Sequence, residues 1–217
     1  MKKRSGKTVG GKPRVRVRAK RSGSRPVPSR VNAVFLVGFM GAGKSSVGRA
    51  LGERLNWIFE DLDDRIERAE GQRVSEIFRD AGEAEFRRAE HAALEGVIQE
   101  LQRGSVRVIA LGGGAFVQKQ NVDLLEESRV PTVFLDAPVE ELWDRCCTQA
   151  SQDGTDRPLL KSWEQFRDLY EVRRKIYARA RLTVQTGGFT VEEVADQIAR
   201  KLGLKQVGIR TEEGEVE

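Results

Sequence analysis

From Ala33 onward, short apolar runs alternate with longer stretches in which apolar residues recur every three or four positions. The short runs Ala33–Val37, Trp57–Glu60, Val106–Leu111, Thr132–Leu135 and Leu182–Gln185 read as strands. Helical spacing covers Lys44–Leu55, Glu83–Leu101, Val139–Arg145, Ser162–Ala178 and Val191–Leu202, with shorter helices over Asp63–Glu70 and Ser75–Asp80. Thr190 with Glu193 forms a capping box for the last helix, whose Val191, Val194, Ile198 and Leu202 then share one stripe that closes the core. This alternation predicts an α/β fold: a five-stranded parallel sheet with helices on both faces, a three-layer α/β/α sandwich without internal repeats.

Residues 1–30 break the pattern. They hold twelve Lys or Arg, no acid and no apolar period, which predicts a disordered basic tail ahead of a domain over 31–204 and a polar, acidic tail over 205–217. The chain has a formal charge of +5, but without those twelve residues 26 basic face 33 acidic side chains, a charge of −7. The basicity therefore belongs to the tail, for which a solvated segment, a polyanion tether and an organelle transit segment are the competing readings. No apolar run approaches the roughly 18 residues of a membrane span. Adjacent Cys146 and Cys147 make neither a disulfide framework nor a metal-ligand spacing, which fits a reducing, cytoplasmic setting. His91, the one histidine, lies within a predicted helix without an evident partner and reads as a surface or packing residue rather than a catalytic one.

Candidate chemistry begins directly after the first strand. Gly38-Phe39-Met40-Gly41-Ala42-Gly43-Lys44-Ser45 satisfies G-x-x-x-x-G-K-[ST] between an apolar strand and an amphipathic helix, the setting of a P-loop NTPase. Glycines let successive N–H groups turn inward and the helix start adds its positive end, so Gly41, Ala42, Gly43, Lys44, Ser45 and Ser46 are expected to hold the phosphates of ATP. Lys44 is expected on the β- and γ-phosphates and the Ser45 hydroxyl on Mg²⁺. The D-x-x-G and N-K-x-D strings of a switch GTPase do not occur, and the acidic body offers no basic groove for a nucleic-acid-dependent ATPase.

Three further elements bear on the acceptor. Asp61 and Asp63 leave the carboxyl end of the second strand, where one carboxylate can serve the metal through water and the other can orient a hydroxyl; Asp63 could equally cap the next helix. Leu111-Gly112-Gly113-Gly114-Ala115 follows the third strand, and three glycines in a row fit either a close approach to backbone or a plain flexible turn. Glu85-Phe86-Arg87-Arg88 opens the long helix with Phe78 shortly before it; an arginine beside two aromatics suits a small carboxylated ring, while a surface pair between Arg87 and Glu83 is the plainer account.

Together, in this order, the P-loop, Asp61 with Asp63, Glu85-Phe86-Arg87-Arg88 and Leu111-Gly112-Gly113-Gly114-Ala115 resemble the shikimate kinase family over residues 33–203. Arg157-Pro158-Leu159-Leu160 is similar to the family's lid, and Arg173, four residues before Tyr177, to its distal substrate arginine. The resemblance implies that Asp63, Phe78, Phe86, Arg87, the Gly112, Gly113 and Gly114 turn and Arg173 bind shikimate. It also implies that Asp61 and Ser45 serve Mg²⁺, that Arg157 comes over the phosphates from a lid around Gly154–Leu160, and that Arg145 stacks on adenine. Arg173-Arg174-Lys175-Ile176-Tyr177 lacks the family's proline, the stretch Cys146–Asp156 is longer than usual, and Thr186-Gly187-Gly188-Phe189 lacks the customary polar or basic residue.

The activity this implies is transfer of the γ-phosphoryl of ATP to the 3-hydroxyl of shikimate by a monomer, with Lys44, Asp63 and Arg157 catalytic and neither membrane nor specific nucleic acid as partner. Another metabolite or nucleotide kinase of the same fold, and a polyanion-tethered protein holding ATP structurally, are the alternatives.

Overall fold

The computed structural model describes residues 31–153 and 162–206. The tail 1–30, residues 207–217, and the lid Gly154–Leu160 with Arg157 lie outside the described residues. In chain order the elements are β1 Ala33–Val37, α1 Lys44–Leu55, β2 Ile58–Asp61, α2 Leu62–Glu70, α3 Val74–Asp80, α4 Gly82–Gln102, β3 Arg107–Ala110, α5 Lys119–Ser128, β4 Thr132–Asp136, α6 Val139–Asp153, α7 Trp163–Tyr177, β5 Leu182–Gln185 and α8 Val191–Leu202. The strands form one parallel sheet in the order β2-β3-β1-β4-β5, with Phe35 opposite Ile109 of β3 and Thr132 of β4. Order reverses at β1, so the crevice beyond its carboxyl end is where an open α/β sheet binds ligands, and the P-loop lies there.

Every residue of β1 and β4 is buried, which explains their unbroken apolar sequences: strands covered on both faces have no solvent side to alternate with. Edge strands β2 and β5 carry exposed positions, including Ile58 and Gln185. The capping box of α8 is present: Thr190 Oγ1 accepts from the Glu193 N–H at 3.2 Å and the Glu193 carboxylate accepts from the Thr190 N–H at 2.8 Å. Val194 and Ile198 are buried, and α8 packs along α1.

Four expectations need correction. Trp57 precedes the second strand, because Asn56 ends α1 in the left-handed region and the Trp57 N–H bonds back to the Gly52 carbonyl. The third strand begins at Arg107 and ends at Ala110, inside the expected Val106–Leu111, although the Leu111 N–H still reaches the Leu36 carbonyl. The helix expected to end at Arg145 runs on to Asp153. Helix α5 is an addition. It buries only Asn121, Val122 and Leu125, too short an apolar period to stand out.

Candidate active site

The P-loop bends through Gly41 at φ 77° and Gly43 at φ 83°, both in the left-handed region that favours glycine. A methyl group on Gly41 would stand 2.8 Å from the Leu142 carbonyl oxygen and 2.9 Å from Cys146 Sγ, so the loop lies directly against α6. Phe39 anchors it from below: its ring meets Phe166 edge-on at 5.0 Å and Tyr170 at 5.6 Å, both on α7. Lys44 Nζ donates to the carbonyls of Gly38 (3.0 Å) and Phe39 (3.1 Å), which keeps the ammonium over the loop. Burial pushes its pKa below the ordinary lysine value, against the opposing pull of Asp63 and Asp61.

Asp61 joins this loop to the acceptor side. Its Oδ2 accepts from Ser45 Oγ at 2.7 Å, and its Oδ1 accepts from the Asp63 N–H at 3.1 Å as the N-cap of α2. The capping role open to Asp63 therefore falls to Asp61, and Asp63 Oδ1 is buried without a hydrogen-bond partner among the described residues. Burial first, and then the Asp61 carboxylate, raise Asp63 to about 6, with Lys44 opposing.

A hydroxyl and a carboxylate 2.7 Å apart are a sparse donor set, and the described residues contain no cluster of three or more His, Cys, Asp or Glu able to cage an ion. That suits Mg²⁺, which keeps several waters and takes the rest of its shell from one or two protein oxygens and substrate phosphates. The residues present fit it.

Beyond β3 the glycine turn faces three of the candidate side chains in succession. A methyl group on Gly112 would stand 2.6 Å from Asp63 Oδ1; one on Gly113, 3.7 Å from Arg173 Nη1; one on Gly114, 2.5 Å from Arg87 Nη1. At Gly112 and Gly114 a side chain would displace the group it meets, while at Gly113 a methyl would make only ordinary contact; two of the three glycines are thus required by close approach. Arg87 lies over Phe86 at 5.2 Å, and the Phe86 and Phe78 rings are 4.5 Å apart. Arg87 also makes the surface pair with Glu83 at 3.1 Å, so the plainer reading and the pocket reading hold together.

Three supporting side chains were not singled out from sequence. Glu90 is fully buried and accepts from Arg87 Nη1 at 2.9 Å; it stands in the apolar stripe Phe86, Leu94 and Val97, and an acid in such a stripe is the signal that could have marked it. The Tyr177 hydroxyl donates to the Gly113 carbonyl oxygen from a fully buried ring, and burial pushes its pKa up to about 12. Arg174 holds buried Asp136 at 3.1 and 2.7 Å, while Arg173 faces Gly113. His91 keeps its packing role: its Nδ1 is 2.7 Å from Asn121 Oδ1, and Asn121 donates to the Ala115 carbonyl.

On the nucleotide side a cavity of about 550 Å³ extends from Gly41–Val47 to the connection between β5 and α8. Arg145 borders it, donating to the Gly41 and Thr186 carbonyls at 3.4 Å and pairing with Glu141 at 3.0 Å.

A parallel sheet carrying this loop at its order reversal, with a carboxylate and arginines across the crevice, defines a P-loop kinase. Over residues 40–203 the chain matches the family model described as "Shikimate kinase". It belongs to the shikimate kinase family, and as a member it is an ATP-dependent phosphotransferase. It is 39% identical over 203 residues to the shikimate kinase of Cereibacter sphaeroides, covering 92% of this chain and 97% of that one. Among solved structures it is similar to the Aquifex aeolicus shikimate kinase (TM-score 0.67, 35% identity, 79% of this chain and 96% of that one). It is equally similar to the Acinetobacter baumannii shikimate kinase in complex with shikimate (TM-score 0.68, 35% identity, 79% and 93%). None of the described helices is long and apolar enough to cross a membrane.

Proposed function

We propose that the chain transfers the γ-phosphoryl of ATP to the 3-hydroxyl of shikimate, with Asp63, Arg87, Arg173 and the glycine turn as the acceptor site. The carrying observation is that Gly112, Gly113 and Gly114 are approached in turn by a buried carboxylate and two guanidiniums from different helices. A small carboxylated polyol needs that set: arginine forks match carboxylate oxygens, and the lone carboxylate accepts from a hydroxyl.

In this reading Asp63 Oδ1 accepts the proton of the 3-hydroxyl and aims its oxygen at the γ-phosphorus, in line with the leaving β-γ bridging oxygen. Lys44 neutralises charge on the β- and γ-oxygens, and the P-loop N–H groups hold the remaining phosphate oxygens. Ser45 and Asp61 would be the protein oxygens holding Mg²⁺, which would supply further charge neutralisation there. Phe78 and Phe86 shield the acceptor ring from water, and Arg145 borders the nucleobase. Arg157 is assigned to the phosphates by the family resemblance alone. The enzyme is read as a cytoplasmic monomer needing neither membrane nor nucleic acid.

The test is ADP release with shikimate, gluconate and nucleoside monophosphates offered separately, with no nucleic acid added. Turnover with shikimate is the expected result; turnover confined to another acceptor overturns the reading.

A further inference from the structure

We propose that Phe39 of the phosphate loop is a positioning residue for the acceptor: the face of its ring holds the guanidinium of Arg173, so the loop that carries the nucleotide phosphates also orients the group that takes the substrate carboxylate. The inference rests on the kinase reading, with Arg173 in the acceptor site. Arg173 Cζ lies over the Phe39 ring at 5.9 Å from its centroid, within the range at which an aromatic quadrupole attracts a guanidinium.

The ring is held firmly. Phe39 is buried, and Phe166 and Tyr170 of α7 meet it edge-on at 5.0 and 5.6 Å. Its carbonyl oxygen accepts from Lys44 Nζ at 3.1 Å and from the Ala42 N–H at 3.3 Å, which fixes the backbone as well. Phe166, Tyr170 and Arg173 follow one another along α7 at helical spacing, so one stripe of that helix packs on one side chain of the loop. The glycine turn closes the arrangement. A methyl group on Gly113 would have Arg173 Nη1 at 3.7 Å, the Tyr177 hydroxyl at 3.8 Å and the carbonyl oxygen of Gly38, directly before Phe39, at 4.0 Å.

The neighbouring arginines show why the partner is a ring. Arg87 is paired with Glu90 at 2.9 Å and Glu83 at 3.1 Å, and Arg174 with Asp136 at 2.7 Å. Arg173 forms no salt bridge among the described residues. A carboxylate would orient its guanidinium but cancel the charge that a carboxylated substrate must meet, whereas a ring orients it and leaves the net charge intact. That charge is felt at the loop: it adds a small push to the lowering of the Lys44 pKa, which burial dominates. Two mutually repelling cations are thus kept in place by one residue, Lys44 through the Phe39 carbonyl and Arg173 through its ring.

The experiment replaces Phe39 in the full chain by mono-, di- and trifluorophenylalanine, which nearly preserve the ring's shape while draining negative charge from its face. The series is made in the native background and in Arg173→Ala, beside Phe39→Leu, which has no π-face. At saturating ATP and Mg²⁺ the KM for shikimate is expected to rise with each fluorine, reaching about three- to tenfold for the trifluoro ring, or about 0.7–1.4 kcal/mol, while the KM for ATP moves less than about twofold. In Arg173→Ala, where that KM is already raised, the series is expected to be flat, because coupling between two residues disappears when one is removed. A native shikimate KM in Phe39→Leu, a flat series in the native background, an equal slope with and without Arg173, or equal movement of both KM values would each overturn the proposal; with Arg173→Ala still raising the shikimate KM, the acceptor reading would stand. An unmoved shikimate KM in Arg173→Ala would fail the acceptor reading and the proposal together.

Discussion

The Tyr177 hydroxyl donates to the carbonyl oxygen of Gly113, joining the last turn of α7 to the middle of the glycine turn. In a trans peptide the C=O and N–H point in opposite directions, so this bond also turns the Gly114 N–H away from α7. Arg173 lies one helical turn earlier on α7, and one helix thereby positions both a guanidinium and the backbone beside it. Tyr177→Phe keeps the buried ring and removes only the donor. The KM for shikimate should rise about fivefold, the worth of one net hydrogen bond of about 1 kcal/mol, while the KM for ATP stays put. An unchanged shikimate KM would show that the Gly113 peptide needs no such restraint.

Asp63→Asn should separate activity from stability. Steady-state rates should fall about 10²- to 10⁴-fold as the proton acceptor is lost. The folded pKa of about 6 lies above the ordinary aspartate value of 3.8, so the native state binds more protons between these values and ionised Asp63 costs stability above pH 6. That cost is about 3 kcal/mol at pH 8 by linkage. The Asn variant should therefore melt higher than the native protein at pH 8, with the gain shrinking as pH falls from 6 towards 4. Equal melting temperatures at pH 8 would contradict the burial argument.

For the native enzyme the same group predicts a pH profile. Asp63 must be ionised to accept the hydroxyl proton, so kcat/KM for shikimate should be level above its pKa of about 6 and drop about tenfold per unit below it. Persistence of full activity at pH 5 would remove Asp63 from that role.

Arg173→Ala and Arg174→Ala, neighbours in sequence, should behave oppositely. The first should raise the KM for shikimate at least about tenfold with the smaller loss of stability, because its guanidinium faces Gly113 and forms no salt bridge among the described residues. The second strips Asp136, 3% exposed, of its charged partner and should cost about 2–3 kcal/mol in urea denaturation while sparing that KM.

Gly114→Ala places a methyl group 2.5 Å from Arg87 Nη1 and must push the guanidinium aside. The KM for shikimate should rise at least about tenfold, the ATP KM should hold, and thermal unfolding should shift little, since a long side chain can yield. A native shikimate KM in this variant would detach Arg87 from the acceptor site.

Strands and the phosphate loop were legible because buried strands advertise themselves as apolar runs and because G-x-x-x-x-G-K-S is informative in a strand-loop-helix setting. Apolar period could not reveal α5, whose inward face includes Asn121, nor the extension of α6, where Thr148, Gln149 and Ser151 are exposed. Side-chain direction was harder still. Sequence could not tell whether Asp61 or Asp63 caps α2, because both suit the position; Asp61 is the cap because its Oδ1 accepts from the N–H two residues on, that of Asp63. Likewise Arg173 and Arg174 differ by about 100° around a helix, and only the location of Asp136 shows which is committed to structure.

The aromatic cluster beneath the phosphate loop has an optical consequence. Trp143 on α6 and Trp163 at the start of α7 meet edge-on at 5.5 Å; Trp143 also meets Phe166 edge-on and Trp163 stacks on it, and Phe166 in turn touches Phe39 of the loop. The third tryptophan, Trp57, stands apart between α1 and β2. Emission from the pair thus originates on the two helices whose connection carries Arg157, two aromatic contacts from the phosphate loop. Nucleotide titration followed at 295 nm excitation should alter that emission in the native protein and in Trp57→Phe alike, giving the enzyme a label-free readout of its own phosphate site.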